Sequence, residues 1–334
     1  MTESTYKLNM PPENFIRVNF QQLERFVKDV AMSAGLVESK ANLLSKLLVE
    51  NDLRGVFTHG TKQISKYATN MIKNELNTDP KISVIKETPV SLIMDGDGGL
   101  GYFPMYEGML RIIEKARNSG VAILQTRNHG HIGAAGIYSR LPLEYNLAAF
   151  VTAGGGLKLK PNDPVFTPAI GSPISISAPS GKEPPLVVDF SPVYDLRISP
   201  KWKELAEWIP GTIFRCIGLG MVAQIWGGLM AGSKVEEYPN LSKKYLGTGQ
   251  CGFAFIFDVN LFVSIDEYKK NMDQLAVQLR ELQPLEGMEK ANYAGGIEKS
   301  REIESRRYGI PIGSKHQIEL EKVAKRFNIL IPWK

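Results

Sequence analysis

The sequence predicts an α/β fold in which helical chain ends flank a centre of mixed strands and helices. Apolar residues recur at helical spacing over residues 20–36 and again over residues 266–282. The central part instead contains short apolar runs that are typical of strands. With 334 residues, of which 43% are hydrophobic and 22% charged, the chain is long enough for two domains or for one large domain.

The first eighty residues are predicted to form three helices. The first covers residues 20–36, and Gly35 is placed to end it. Ser39 is expected to cap a second helix, in which leucines recur at helical spacing. A third, short helix is expected to follow His59 and to reach Met71. This part of the chain is therefore expected to be helical throughout.

The centre of the chain is predicted to alternate strands with helices. Apolar runs indicate strands at residues 90–94, 121–126, 147–152, 186–189 and 253–259. Helical spacing indicates helices at residues 103–118, 134–141 and 217–231. Residues 153–185 are rich in Gly, Pro and Ser, which is typical of loops and short strands. The tail is predicted to return to helix at residues 266–282, 298–307 and 315–327.

Composition and charge limit the classes of function. The net charge is only +5 and no run of lysine and arginine stands out, which argues against nucleic acid as the main ligand. The two cysteines, Cys216 and Cys251, form no disulfide framework, which indicates a reducing compartment. No secretory signal is evident, and the longest apolar stretch, residues 217–231, is interrupted by glycines. The sequence therefore predicts a soluble, cytoplasmic protein that does not bind membranes.

A glycine-rich motif, DGDGGLG at residues 95–101, contains the G-x-G-x-x-G pattern of dinucleotide-binding turns. It follows a predicted strand and precedes a predicted helix, which is the context of a Rossmann fingerprint. No acidic residue ends the next strand, where ribose recognition would need one, although Arg127 can meet a 2′-phosphate there. A plain glycine-rich turn and a Rossmann-type enzyme that uses Gly96, Gly98 and Gly101 therefore both remain open.

Three of the four histidines lie in two glycine-flanked motifs, RGVFTHG and RNHGHIGAAG, which contain His59, His129 and His131. Imidazole exchanges protons near neutral pH, and the flanking glycines let a substrate approach the backbone. On a strand, His129 and His131 would share a face, as zinc ligands can, but no third ligand completes such a site. The motifs therefore favour acid–base chemistry over a metal site.

The segment LVVDFS, residues 186–191, predicts a buried strand that ends in an acid. Proteins of the α/β class often place ligand contacts at the carboxyl end of a strand. The glycines of the later segment 215–232 indicate close helix packing and no further function. Nucleophilic catalysis is not indicated, because the sequence has no G-x-S-x-G motif and no histidine near either cysteine.

In this order and at these separations, the motifs resemble the malate/L-lactate dehydrogenase family that is distinct from Rossmann-type enzymes. This family includes sulfolactate and ureidoglycolate dehydrogenases and diketogulonate reductase. Its D-x-R-G-x-x-S-H-G motif resembles residues 52–60, and its S-N-H-F-G-A-A-G-x-Y motif resembles residues 129–138. Shorter similarities lie at residues 171–174, 189–191, 215–219 and 294–296. The resemblance extends over nearly the whole chain.

The resemblance implies a fold unlike the Rossmann fold. It implies a mixed, largely antiparallel sheet domain at residues 80–265 that binds the cofactor. A helical domain would be formed by both chain ends, from residues 15–79 and 266–334. In such a fold the DGDGGLG motif is a structural turn, and the protein is a homodimer with its sites near the subunit interface.

The resemblance also implies an oxidoreductase that uses NAD or NADP. Its substrates would be a small 2-oxo acid and the matching 2-hydroxy acid, or a cyclic imine and the matching amino acid. His131 matches the family's proton donor and acceptor, and His59 matches a second position that orients the substrate or shares the proton. Thr58, in the matching motif, and Gln63, at the family's substrate-binding position, are expected to bind the substrate, together with Lys62 beside Gln63. Cofactor-binding positions match Gly155, Asp189, Phe190, Ser191, Arg215 and Gly295.

Departures from the family pattern leave a second interpretation open. Gln63 stands where the family has an arginine that pairs with the substrate carboxylate, and Lys62 can replace that arginine only as a point charge. Arg215 replaces a lysine, and the segment between Asp189 and Arg215 is shorter than in the family. The alternative is a catalytically degenerate member that acts as a binding or regulatory protein.

Overall fold

The computed structural model describes residues 12–157, 159–194, 201–233, 244–284 and 290–333. The α-helices are α1 (Phe20–Ser33), α2 (Glu38–Leu53), α3 (Ile64–Ile72), α4 (Tyr102–Ser119), α5 (Gly136–Ser139), α6 (Trp202–Trp208), α7 (Pro210–Gly227), α8 (Ile265–Glu281), α9 (Gly296–Tyr308) and α10 (Ser314–Phe327). The strands are β1 (Phe15–Val18), β2 (Ser83–Thr88), β3 (Ser91–Asp95), β4 (Val121–His129), β5 (Leu147–Gly155), β6 (Ile174–Ala178), β7 (Leu186–Phe190), β8 (Gln250–Asp258) and β9 (Ile310–Gly313).

A first compact unit is built from the described residues up to Pro80 and from Gly296 onward. Strand β1 pairs antiparallel with β9, so the two chain ends are joined by backbone hydrogen bonds. Helix α1 begins where the Asn19 side chain accepts the N–H groups of Gln21 and Gln22, and one apolar face of the helix is buried. This unit is the helical part of the fold that the resemblance implied.

A second unit extends from Lys81 to Gly295 and contains a seven-stranded sheet of order β2-β3-β4-β8-β5-β6-β7. Strands β3 and β4 are parallel, and every other neighbouring pair is antiparallel. Helix α4 packs on β3, β4 and β8. The expected mixed, largely antiparallel sheet is therefore confirmed, and the fold is not a Rossmann fold.

The strands that carry the candidate residues end at the same edge of this sheet. His129, the last residue of β4, pairs with Gln250, and Gln250 also pairs with Gly155, the last residue of β5. Strands β5 and β7 run in the same direction because both pair antiparallel with β6. Phe190 therefore ends β7 at this edge as well. We call the carboxyl ends of β4, β5 and β7, which lie on the same side of the sheet, the carboxyl edge.

The structure differs from the expected domain division at α8, which lies in the second unit and not in the helical domain. The reason is a set of hydrogen bonds within the second unit. The Asp273 carboxylate accepts the backbone N–H groups of Gly181, Lys182 and Glu183. Arg280 pairs with the Glu183 carboxylate at 2.6 Å. These contacts are long-range, so the helical periodicity of residues 266–282 does not predict them.

Helix α2 also begins differently from the sequence prediction. Val37 is its N-cap and makes no side-chain cap hydrogen bond, while Ser39 lies inside the helix. The polar residue expected to cap the helix therefore does not do so. The helix is held instead by its burial, since Leu44, Leu47 and Leu48 are in the core.

Among the described residues, one helical segment, Pro210–Ala231, is long and apolar enough to cross a membrane. It is weak evidence for a membrane span, because core helices of soluble proteins have the same length and composition. In the most apolar stretch of this segment, 39% is buried inside the protein.

Candidate active site

The DGDGGLG motif is a turn that holds the chain segment carrying His131. The N–H of Gly130 donates to the Gly99 carbonyl at 2.8 Å, and the N–H of Gly101 donates to the His131 carbonyl at 3.1 Å. A Cβ on Gly101 would lie 2.6 Å from the Gly130 carbonyl oxygen, so no larger residue fits. The glycine pattern therefore reflects the close approach of two backbone segments. The Rossmann interpretation of this motif is wrong, because the motif lies in a different fold.

The neighbouring histidines 129 and 131 have different environments. His129 is fully buried; its Nδ1–H donates to the Gly130 carbonyl at 2.8 Å, and its Nε2 lies 2.8 Å from the Thr126 hydroxyl. Burial lowers the pKa of His129 to about 4, so the ring is neutral and structural. His131 follows the end of β4 and is partly exposed. The two rings therefore do not share a strand face.

The described residues contain no group of three or more His, Cys, Asp and Glu side chains that could hold a metal ion. His129 is already engaged by Thr126 and Gly130, which leaves it unsuited as a metal ligand. The described part of the chain therefore offers no observation in favour of a metal centre at this histidine pair.

The loop that carries His131 is anchored at its far end by Asp189. The Asp189 carboxylate, near the end of β7, accepts the N–H of Gly136 at 2.9 Å. A Cβ on Gly136 would lie 2.5 Å from this carboxylate, so the contact requires glycine. The loop from β4 therefore crosses the carboxyl edge and is fixed at β7. The hydrogen bond therefore ties the loop that carries His131 to the strand that carries Asp189.

Phe190 and Asp189 lie on opposite faces of the sheet at this edge. Asp189 pairs with Ser175 and Phe190 with Ile174, and adjacent side chains of a strand alternate between faces. Phe190 is 39% exposed, and Ser191 directly follows the strand. The end of β7 therefore offers an acid, an aromatic ring and a hydroxyl within three residues.

Helix α7 packs against the end of β5. The Gln224 side-chain oxygen accepts the N–H of Gly155 at 2.9 Å, and the backbone at Gly227 and Gly228 lies directly against β5. Gly155 is therefore at the carboxyl edge, but its N–H is engaged by the protein itself. The position is glycine because a Cβ there would lie 2.5 Å from the Gly249 carbonyl oxygen.

Arg215 lies on α7, and its side chain is exposed. Ile217 of the same helix is buried in a small core with Val193, which follows β7 by three residues. This packing brings the segment that carries Arg215 to the end of β7. Arg215 therefore belongs to the same region of the second unit as Ser191.

Gly295 lies at the opposite end of β7 from the carboxyl edge. The Ala294 carbonyl accepts the N–H of Val187 at 3.1 Å, and a Cβ on Gly295 would lie 2.6 Å from the Pro185 carbonyl oxygen. Val187 and Ser191 are separated by about 13 Å of strand, at the usual rise per residue. The structure therefore does not bring Gly295 together with the other predicted cofactor residues.

The side chains at the carboxyl edge fit a nicotinamide nucleotide in chemical type. A nucleotide presents ribose hydroxyls, phosphates and flat rings, which call for a hydrogen-bond acceptor, a cation and an apolar surface. Asp189 supplies the acceptor, Ser191 a hydroxyl and Phe190 an exposed ring at the carboxyl edge. The exposed Arg215 of α7 is the candidate cation. None of these four residues lies in a glycine-rich loop of the kind that binds phosphate in Rossmann folds.

In the first unit, His59 lies in a short 3-10 turn, Phe57–His59, that follows α2. The Asn51 side-chain amide donates to the His59 carbonyl at 2.8 Å. The Thr58 hydroxyl lies 3.0 Å from Nδ1 of His59, and the Gln63 amide donates to the Thr58 carbonyl at 2.6 Å. His59 is only partly exposed to solvent, and the partial burial of its ring lowers its pKa below the ordinary value. The predicted residues Thr58, His59 and Gln63 are therefore in one hydrogen-bonded turn.

Beneath this turn lies a series of buried polar side chains, linked by hydrogen bonds, that the sequence does not predict. The Asp52 carboxylate accepts both the N–H (3.0 Å) and the hydroxyl (2.5 Å) of Thr61. The Thr61 hydroxyl also lies 3.0 Å from Nε2 of His316. Burial raises the pKa of Asp52 to about 7 and lowers that of His316 to about 4. Asp52 was visible in a motif, but His316 is 255 residues from Thr61 and has no local signal.

An open groove of about 570 Å³ lies in the first unit between α3, the turn before it and α10. Its lining is rich in lysine and neutral polar side chains: Lys62, Gln63, Ser65, Lys66, Thr69, Asn70, Lys315, Ile318 and Glu319. The predicted substrate-binding residues Lys62 and Gln63 are both part of this lining. The Gln63 amide, however, is already hydrogen-bonded to the Thr58 carbonyl.

Comparison with known proteins supports the assignment of the fold. The chain is 28% identical to a malate dehydrogenase of Pyrococcus horikoshii, over 95% of this chain and 97% of that protein. It is 25% identical to an L-sulfolactate dehydrogenase of Methanocaldococcus jannaschii, over 92% and 96% of the two chains. The solved structure of the Pyrococcus horikoshii malate dehydrogenase superposes with a TM-score of 0.81 at 26% identity and covers 96% of this chain and 97% of that chain.

The family model for malate/L-lactate dehydrogenase matches residues 18–193, which is more than half of the chain. This range includes the His59 turn, the His131 loop and the end of β7. The chain therefore belongs to the malate/L-lactate dehydrogenase family.

Proposed function

We propose that the protein is an NAD(P)-dependent oxidoreductase that acts on a small 2-oxo acid and its 2-hydroxy acid, or on a cyclic imine and its amino acid. The observation that carries the proposal is the loop of His131, which crosses the carboxyl edge and is anchored to Asp189 at 2.9 Å. The substrate class is supported by relatives that are named malate dehydrogenase and L-sulfolactate dehydrogenase and that are similar to this chain over nearly its whole length.

His131 is proposed as the proton donor and acceptor. The bound nicotinamide would supply or accept the hydride. Reduction leaves negative charge on the substrate oxygen, and the His131 imidazolium donates a proton to that atom; in oxidation the neutral ring takes it back. The fixed backbone on both sides of His131 keeps the ring in a defined position.

Asp189, Phe190, Ser191 and Arg215 are proposed to bind the cofactor. Asp189 accepts hydrogen bonds from ribose hydroxyls while it keeps the Gly136 N–H, because a carboxylate has several acceptor positions. Arg215 is exposed and offers its charge to a phosphate. Gly155 and Gly295 are proposed only as backbone positions that allow close packing near β5 and β7.

In the first unit, His59 is proposed to orient the substrate or share the proton, and Thr58, Lys62 and Gln63 are proposed to bind the substrate. The Thr58 hydroxyl is hydrogen-bonded to His59 Nδ1, and the Gln63 amide donates to the Thr58 carbonyl, so both side chains hold the turn. Lys62 offers a positive point charge to a substrate carboxylate at the groove.

The test follows the absorbance of NADH and NADPH mixed with a panel of 2-oxo acids and cyclic imines. His131→Asn is expected to lower turnover by a factor of about 10² to 10⁴ while cofactor binding, measured by fluorescence, is unchanged. Undiminished turnover in His131→Asn removes this residue from the mechanism. Loss of cofactor binding in the same variant assigns it to binding and not to proton transfer.

A second candidate function is a catalytically degenerate binding or regulatory protein. It is favoured by one observation: the position of the family's carboxylate-binding arginine is Gln63, whose amide is held by the Thr58 carbonyl. This alternative is supported if neither reduced cofactor raises the melting temperature at high micromolar concentration. A clear shift with either cofactor argues against it.

The protein is further proposed to be a cytoplasmic homodimer. The second unit exposes large apolar side chains on one face of its sheet and around it, including Ile123 (38%), Ile176 (43%), Trp226 (40%) and Phe262 (76%). Exposed apolar patches of this kind mark interfaces. Analytical ultracentrifugation at micromolar concentration is expected to give twice the chain mass of 37.1 kDa. A monomer under these conditions contradicts the proposal.

A further inference from the structure

The turn that carries His59 rests on a chain of three buried polar side chains. Asp52 and Thr61 are fully buried, and His316 is 7% exposed. The residues come from three separate elements: α2, the turn Thr61–Gln63 and α10. Buried polar groups of this kind cost stability unless they are hydrogen-bonded, and here the bonds run from one to the next.

The direction of the hydrogen bonds follows from the chemistry of the end group. A carboxylate only accepts, so the Thr61 hydroxyl donates to Asp52 at 2.5 Å. The same hydroxyl has no second hydrogen, so Nε2 of His316 must carry the hydrogen that bridges the 3.0 Å distance. The hydrogen bond thus places a hydrogen on Nε2, and burial together with the nearby charge of Lys62 lowers the pKa of His316, which keeps the ring neutral.

The turn lies directly on the Asp52 carboxylate. A Cβ on Gly60 would lie 1.7 Å from Oδ1 of Asp52, so only glycine fits between His59 and Thr61. Oδ1 itself is buried and makes no hydrogen bond within the described part of the chain. Any change in the position or protonation of this carboxylate is therefore transmitted to the backbone between His59 and Thr61.

We propose that Asp52, Thr61 and His316 are positioning residues that hold His59 and its turn in the geometry needed for substrate, and that protonation of Asp52 alters this geometry. The kinetic part of this inference rests on the proposed function; the structural part does not. Oδ1 is the atom that takes up the proton, because Oδ2 already accepts two hydrogen bonds.

Burial raises the pKa of Asp52 to about 7, and the hydrogen bonds from Thr61 oppose this rise. Helices α1 and α9 and the two turns before α3 pack on α2. Besides His316 of α10, the charged residues and histidines on these elements are His59 and Lys62 of the turns, Glu24, Arg25, Lys28 and Asp29 of α1, and Glu298, Lys299, Arg301, Glu302, Glu304, Arg306 and Arg307 of α9. Arg301 lies against Gly55, and Arg306 pairs with Glu50 of α2. Loss of the Thr61 hydroxyl should therefore raise the pKa of Asp52 further, because the ionised form loses a donor.

The test compares Thr61→Val, which keeps the shape of the side chain but removes the hydroxyl, with Thr61→Ser, which restores it. Ser45→Ala is the matched control, because it removes another buried hydroxyl from α2. The first measurement is the pH titration of the His59 ring by NMR in purified full-length protein without substrate. The second is the pH profile of kcat/KM, with KM and kcat determined separately.

Thr61→Val is expected to shift the His59 titration by at least half a pH unit and to raise the substrate KM five- to tenfold with a smaller change in kcat. Thr61→Ser and Ser45→Ala are expected to match the unmodified protein. If Thr61→Val does not fold, His316→Phe replaces it, with His316→Gln, whose amide can donate to Thr61, as the conservative variant.

A folded Thr61→Val or His316→Phe protein with an unchanged His59 titration overturns the inference. An unchanged titration in Thr61→Val together with a raised KM also overturns it, because the turn would then not be the route of the effect. The NMR measurement needs no turnover. If the unmodified protein reduces no substrate, the proposed function fails while the positioning role is still decided by the His59 titration.

Discussion

The N–H of Gly136 donates to the Asp189 carboxylate at 2.9 Å, and this bond joins the loop after β4 to the end of β7. The two residues are 53 positions apart in sequence and come together because β4, β5 and β7 end at the same edge of the sheet. Asp189 therefore anchors the segment that carries His131, and its exposed side chain is also the proposed acceptor for the cofactor ribose. The predictions below separate these two roles.

Asp189→Leu removes the acceptor of the Gly136 N–H, whereas Asp189→Asn keeps an oxygen in the same place. Because Gly136 is buried, the unpaired N–H is expected to cost about 1–3 kcal/mol of unfolding free energy in the leucine variant. The asparagine variant should retain most of the stability but bind cofactor more weakly. Urea denaturation and cofactor titration measure the two effects. Equal stability of all three proteins would show that the bond does not anchor the loop.

Gly136→Ala places a Cβ 2.5 Å from the Asp189 carboxylate. The loop must shift to relieve this contact, so a loss of about 1–3 kcal/mol of stability and a marked loss of turnover are expected. Gly218→Ala is the control, because Gly218 lies in helix α7 and a Cβ there would lie in open space. Gly171→Ala is not suitable, because Gly171 has a positive φ. A Gly136→Ala protein as stable and active as Gly218→Ala contradicts the tight contact.

Asp52 should make the stability of the protein depend on pH. The pKa of Asp52 is about 7 in the folded protein, against an ordinary value of 3.8. Its contribution to the free energy of unfolding is therefore fully present below pH 3.8 and is lost as the pH rises through 7. The loss is a few kcal/mol at most, since one pKa unit corresponds to about 1.4 kcal/mol. Asp52→Asn cannot ionise, so the difference in unfolding free energy between the two proteins should change across this window. A pH-independent difference contradicts the raised pKa.

His129 should behave in the opposite way. Burial lowers its pKa from 6.5 to about 4, so its contribution to stability is present above pH 6.5 and is lost as the pH falls through 4. NMR of the His129 ring is expected to show a neutral imidazole at pH 6 with its hydrogen on Nδ1, which donates to Gly130. A midpoint near 6.5 would mean that the ring is open to solvent and available for catalysis.

Gln63→Arg restores the guanidinium that the family pattern has at this position. If the protein is an oxidoreductase of 2-oxo acids, the variant should lower the substrate KM about tenfold or more, because a guanidinium pairs with a carboxylate through two hydrogen bonds. Gln63→Leu is the matched control, since it also releases the Thr58 carbonyl but adds no charge. If both variants change KM equally, the effect comes from the turn and not from the new cation.

The sequence predicts local elements better than it predicts what they touch. The strand ending in Asp189 and the glycine-flanked histidines were visible as patterns, and the order of the motifs gave the family. The sequence predicts α8 at its observed position but assigns it to the helical domain, whereas it lies in the second unit. The three N–H groups that bind Asp273 there are about ninety residues away in sequence. The pairing of β1 with β9 was missed for the same reason.

The candidate site was predicted in part. His131 and Asp189 belong to separate sequence motifs, and only the sheet register shows that their strands end at the same edge. His129 and His131 look equivalent in the sequence, yet one is buried and the other partly exposed, since β4 ends between them. Thr61 and His316 carried no signal, because an ordinary threonine and a lone histidine gain meaning only when folding brings them to Asp52.

The most direct test of the account is a crystal structure of the protein with a reduced nicotinamide cofactor and an unreactive 2-oxo acid analogue. We expect the nicotinamide at the ends of β5 and β7, with the His131 ring within hydrogen-bond distance of the analogue's 2-oxygen. A nucleotide bound elsewhere, or a His131 ring directed away from the analogue, would contradict the assignment of His131 as the proton donor.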